Sequence, residues 1–67
     1  MDVKQRLAAN LRRIRKEQGL SQEQFALDHD IDRTYISGIE RGVRNPTITV
    51  VEKIANALDV AIGELLD

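Results

Sequence analysis

The sequence predicts an all-α fold of five short helices, and three observations lead there. Apolar residues recur at steps of three and four along successive windows of the chain. Ser21, Asp32 and Thr47, whose side-chain oxygens can bond to the first free N–H groups of a helix, each stand just before such a window. Gly19, Gly42 and Pro46 fall between the windows, where helices end or are broken. A chain of 67 residues makes one domain, residues 1–67.

Val3, Leu7, Leu11 and Ile14 mark the inner face of a first helix, from about Val3 to Gln18, with Arg12, Arg13 and Lys16 on its other faces. Gly19 ends it, because glycine enters the left-handed region without steric cost. Ser21 opens the second helix: Ser21 and Gln24 form an S-x-x-Q capping box, and Leu20 and Phe25 sit where a hydrophobic staple closes. Phe25 and Ala26 face inward, and the helix fades at Asp28 and His29, the latter read as an exposed turn residue. Two turns are too few to stand alone in water, so packing must hold them.

Asp32 caps the third helix. At 100° per residue, Tyr35, Ile36 and Ile39 fall on one side and Arg33, Thr34, Ser37, Gly38 and Arg41 on the other. The outward face therefore carries short polar groups between two arginines, with a glycine in the middle. A glycine inside a helix costs about 1 kcal/mol against alanine; close approach of another molecule to that face would explain it. Gly42 closes the helix, and Val43 to Pro46 form a loop. Thr47 caps a fourth helix with the stripe Val51, Ile54, Ala55 and Leu58. Its opening residues, Ile48 to Val51, suit a strand. The stripe nevertheless continues to Leu58 and no partner strand exists, which favours helix. A fifth helix runs from about Ala61 to Leu66.

The net charge of −1 conceals a segregation. Residues 1–20 carry +4, 21–40 carry −4, 41–50 carry +2 and 51–67 carry −3. With no cysteine and one histidine, neither disulfides nor a metal can brace so small a core, which leaves dimerisation. Asp28, Asp30 and Asp32 resemble the start of a calcium loop, but the glycine and glutamate such a loop needs are Arg33 and Ile39 here. No metal site, cofactor or small-molecule ligand is expected. No nucleophile–base pair or Gly-rich phosphate loop is present, so the chain is not expected to be an enzyme. No stretch approaches a membrane span, and no apolar signal core follows the charges at Asp2, Lys4 and Arg6. With cysteine also absent, the expected compartment is the cytoplasm.

Two short helices joined by a tight turn, the second and third here, form a helix-turn-helix unit. In that unit the second helix enters the DNA major groove by its N-terminal end. Arg33 can pair with guanine through two hydrogen bonds, and Thr34 or Ser37 can meet several base edges. The helix starts at Gln22 and Arg33 offer unpaired N–H groups to phosphate.

The stretch from Leu11 to Leu66 resembles the Cro and phage-repressor type of helix-turn-helix protein, the XRE family, whose fold is the five-helix lambda-repressor-like DNA-binding domain. The matching residues are Leu11 to Arg15, Gly19 to Glu23, Tyr35 to Gly42, Arg44-Asn45-Pro46 and Ala57-Leu58. Within the family, Asp32 to Gly42 with Arg44-Asn45-Pro46 is most similar to the controller proteins of restriction–modification systems. The resemblance implies a transcriptional regulator that binds double-stranded DNA as a homodimer on a roughly palindromic operator. It places base contact on Arg33, Thr34 and Ser37, and phosphate contact on Gln22, Tyr35, Arg44 and Asn45. Arg15 and Glu40 align with positions that pair inside family members, tying helix 1 to helix 3. Asp30 and Asp59 stand where the family usually has glycine; aspartate tolerates the left-handed geometry better than most residues.

The apolar count supplies the expected interface. Val60, Ile62, Leu65 and Leu66 are left over once the other helices close a core, and exposed apolar patches mark partner surfaces. A twofold axis there would set two recognition helices about 34 Å apart, one turn of DNA. The rival reading is a protein-interaction module, such as an antitoxin or adaptor. An antitoxin usually carries an extra segment that wraps its toxin, whereas this sequence stops after helix 5.

Overall fold

Residues 2–67 are described by a computed structural model, in which five helices follow in order: α1 (Val3–Glu17), α2 (Gln22–Asp28), α3 (Arg33–Glu40), α4 (Ile48–Leu58) and α5 (Ile62–Leu66). No strand occurs among the described residues, so the β-branched opening of α4 yields to its apolar stripe. The helices pack into a body of 28 × 22 × 21 Å.

Each helix start is built from its sequence. Asp2 and Gln5 form a reciprocal capping box on α1, Oδ1 of Asp2 accepting from the Gln5 N–H at 2.9 Å. Ser21 Oγ accepts from the Gln24 N–H at 3.0 Å, but the reciprocal arm of the expected box is missing. The Gln24 amide instead reaches forward one turn to Asp28 Oδ1, at 2.6 Å. Asp32 and Thr47 cap α3 and α4 as their positions predict.

The helix ends share one device. α1 to α4 each close with a pair of backbone bonds, one spanning five residues and one spanning three. The five-residue bonds run from Leu20 N–H to Arg15, Ile31 to Ala26, Val43 to Gly38 and Val60 to Ala55. In each case the residue before the donor is left-handed: Gly19 and Gly42 at φ 74°, Asp30 at 55° and Asp59 at 58°. Two of the four stops thus use aspartate where glycine carries no Cβ penalty. Replacing Asp30 or Asp59 with glycine is expected to stabilise the fold by about 0.5–1 kcal/mol, strain relief outweighing the added freedom of the unfolded chain. That corresponds to a rise in Tm of about 2–8 °C by calorimetry; an unchanged or lower Tm for both variants would show that neither stop is strained.

The core gathers Leu7, Leu11 and Ile14 of α1, Phe25, Ile36 and Ile39 of the central pair, and Val51, Ile54 and Leu58 of α4. Two expectations need correction. Val3 stays 50% exposed, and Ala8 joins the buried face of α1 instead, because a 3-to-4 step repeats whether or not a partner lies opposite the first turn. His29 is not a free turn residue: it is half-buried, with its ring tilted on Phe25 at 5.1 Å between centroids.

The largest correction concerns Leu65. Read from sequence as a surplus residue at a dimer face, it has no exposed surface and belongs to its own subunit's core. α5 packs against both α1 and α4, and α1 fixes it there by donating to its last carbonyls. Asn10 Nδ2 bonds to the Leu65 carbonyl at 2.9 Å and Arg6 Nε to the Leu66 carbonyl at 3.0 Å. Val60, Ile62 and Leu66 remain half-buried around that plug.

Candidate nucleic-acid interface

The candidate interface is built on the N-terminal half of α3. Asp32 stops the chain from fraying there: its Oδ1 accepts from the Thr34 N–H at 2.8 Å and from the Thr34 hydroxyl at 2.6 Å. Those bonds, the side-chain one first, hold the Asp32 carboxyl below the usual carboxylate range, with the Arg44 charge adding to them. Since the folded value lies below the unfolded one, the cap is present above the unfolded pKa and is lost as pH falls through the folded value. Arg33 and Thr34 are exposed and Ser37 is half-buried, all on one side of the helix. Tyr35 is half-buried against the core, so only part of its ring reaches the surface.

The loop after α3 folds back on the helix that precedes it. The Val43 and Arg44 N–H groups both donate to the Gly38 carbonyl, at 3.0 and 3.1 Å. The Arg44 stem lies against the Gly38 α-carbon, where an added Cβ would collide with Arg44 Cγ. Gly38 is therefore buried, not the centre of an outward face. What approaches it closely is this chain's own Arg44. Helical spacing gives no sign of that, because the loop's return path is not in the period. Arg44 and Asn45 are both exposed in this loop, with the Arg44 charge acting on Asp32.

Beneath the interface lies an ion pair. Arg15 Nε donates to Glu40 Oε2 at 2.7 Å and Arg15 Nη2 to Glu40 Oε1 at 2.9 Å, a two-bond fork with side-chain exposures of 7% and 3%. The third guanidinium nitrogen bonds to the Leu20 carbonyl. The Glu40 bonds come first in raising the Arg15 pKa above its ordinary value, against the effect of burial. Gln22 also turns inward, its amide donating to Glu40 Oε1 at 3.1 Å. One glutamate thus joins α1, the start of α2 and the end of α3. A phosphate contact at Gln22 would therefore rest on the backbone N–H groups at the start of α2 and not on its side chain.

The positive charge of residues 1–20 is divided. Arg15 is internal, while Arg12, Arg13 and Lys16 line, with Arg41, an open groove of about 720 Å³ between α1 and the C-terminal end of α3. That end lies opposite Arg33, so these cations do not border the candidate base-contact residues directly. Among the described residues no cluster of His, Cys, Asp and Glu could hold a metal ion. Nor, among the described residues, is any helix long and apolar enough to cross a membrane.

This arrangement has relatives. Residues 11–65 match the helix-turn-helix family. The control protein C.MunI of Mycoplasma sp is 46% identical over 65 residues, covering 96% of this chain and 88% of that protein. A hypothetical transcription factor from Neisseria superposes with a TM-score of 0.93 at 42% identity, over 98% of this chain and 76% of the other. The restriction–modification controller protein C.Esp1396I, solved as a tetramer in complex with its natural 35 base-pair operator, superposes with a TM-score of 0.84 at 37% identity. That match covers 100% of this chain and 99% of the controller. With most of its length matched, and at these identities, the chain belongs to the helix-turn-helix family, alongside the restriction–modification controller proteins.

Proposed function

We propose that this chain is a cytoplasmic, sequence-specific DNA-binding transcriptional regulator, not an enzyme, that acts as a homodimer on a roughly palindromic operator. The relatives favour a restriction–modification controller in particular. The observation that carries the reading is the face of exposed Arg33 and Thr34 with half-buried Ser37 on a capped helix start, flanked by Arg44 and Asn45. A helix presented this way enters the major groove by its N-terminus. Arg33 meets guanine, Thr34 and Ser37 meet neighbouring base edges, and Arg44, Asn45, Tyr35 and the first turn at Gln22 hold the phosphates. Val60, Ile62 and Leu66 supply the half-exposed apolar surface for a second copy.

Selection of duplexes from a random pool by the purified chain tests the reading. A chain that enriches no sequence and retains no duplex would instead be a protein-interaction module. Within that experiment, Arg33→Ala is expected to cost about 1–3 kcal/mol and to relax preference at one base pair per half-site. Arg44→Ala is expected to weaken all duplexes alike and to reduce the salt slope by about one unit. Unchanged selection by the Arg33 variant removes that residue from the base-reading set; altered selection by the Arg44 variant makes it a base reader.

A further inference from the structure

Thr34 has one proton to give, and the structure shows where it goes. The hydroxyl lies 2.6 Å from Asp32 Oδ1, within the range of charge-assisted O–H···O⁻ bonds. An ionised carboxylate accepts only, so the hydroxyl must be the donor. Asp32 stays ionised far below neutral pH, held there by these same bonds. With its proton committed, the exposed Thr34 oxygen presents only lone pairs to whatever approaches α3.

Left unconstrained, a threonine hydroxyl serves as donor or acceptor and reads a base edge ambiguously. We propose that Asp32 fixes the polarity of Thr34, making it a reader of base amino groups, the 6-amino group of adenine or the 4-amino group of cytosine. It does not read a purine N7 or a base carbonyl oxygen. This deepens the operator-reading function proposed above and rests on it. It also accounts for an aspartate at this place. Serine or asparagine caps a helix about as well without a charge, and a negative charge at a DNA-facing surface opposes phosphate binding. Asp32 sets that charge between the Thr34 hydroxyl and the field of Arg44.

The test compares random-pool selection by the wild-type chain and by Thr34→Val, which keeps the side-chain shape and removes the hydroxyl. The base pair at which valine relaxes preference is the one Thr34 reads. At that pair, adenine is replaced by purine or cytosine by pyrimidin-2-one, each lacking only the amino group. In parallel, 7-deaza purines remove only the N7 acceptor. Deleting the amino group is expected to weaken the wild type about fivefold more than Thr34→Val, the scale of one hydrogen bond. The 7-deaza bases are expected to affect both proteins equally. Asp32→Asn, which keeps an oxygen acceptor without the charge, retains the amino dependence in weakened form, since a neutral acceptor holds the hydroxyl about half as strongly; Asp32→Gly, a tolerated cap, loses it while still binding duplex. Dependence on N7 or a carbonyl oxygen overturns the proposal, as does a Thr34→Val variant that relaxes no position. Full amino dependence in Asp32→Gly also overturns it. The base-analogue comparison stands whether or not the Asp32 variants fold. If the wild type selects no duplex at all, operator reading itself fails and this inference falls with it.

Discussion

Arg15→Ala is expected to lower the stability of the fold by about 3–5 kcal/mol, because it leaves the Glu40 carboxylate buried without its cation. The Arg15–Glu40 fork has almost no exposure, so solvent neither weakens the pair nor rescues the survivor. A domain of this size holds only about 3–10 kcal/mol in all, and the loss corresponds to a fall in Tm of roughly 12–40 °C. Glu40→Ala is expected to cost as much, since it strands Arg15 and also releases the Gln22 amide. Replacing both partners with apolar residues, Arg15→Met with Glu40→Leu, is expected to recover part of the stability, because no charge is then left buried. The recovery stays incomplete, as the Leu20 carbonyl and the Gln22 amide lose partners in the double variant. Circular dichroism melts of the three variants decide the matter. Single variants melting within a few degrees of wild type would mean that water replaces the missing partner and the pair is not a keystone.

This pair also marks the boundary of what a sequence discloses. Caps and stops are local chemistry, and Ser21, Asp32, Thr47, Gly19 and Gly42 all act where their types and positions place them. Asp30 and Asp59 likewise take up the left-handed stops that the family resemblance assigned to those positions. The remaining features depend on contacts between segments far apart in the chain, for which helical periodicity has no term. Arg15 and Glu40 are 25 residues apart, and only the resemblance to a known family paired them. Helical spacing alone puts Gly38 on the outer face, because a helical wheel does not show a following loop turning back over it. Counting apolar residues helix by helix leaves Leu65 surplus, because it misses the space against α1 and α4 that α5 fills. Of the interface itself, Arg33 and Thr34 were readable as a polar, capped helix start. The hydroxyl's direction toward Asp32 was not, since a one-letter code carries no torsion angle.

The burial of Leu65 changes which substitution tests the proposed dimer. Leu65→Asp would place a carboxylate in the core and unfold the chain, so it cannot report on assembly. Val60 and Ile62 are half-exposed at the end of α4 and the start of α5, where a charge can reach water in the monomer but not in a packed interface. Ile62→Asp is therefore expected to give folded monomers with a near-native circular dichroism spectrum, and Val60→Asp to behave alike. Operator affinity is expected to fall about 10²–10⁴-fold, because the second half-site is then bound independently instead of at the high local concentration that a joined partner provides. Binding to a single half-site should be almost unaffected, since α3 and its loop are untouched. Sedimentation and operator titration of the same samples make the two halves of the claim separable. A wild-type chain that sediments as a monomer at tens of micromolar without DNA and binds each half-site independently would sink the dimer. An Ile62→Asp variant that is folded and fully dimeric would move the interface away from the α4–α5 surface.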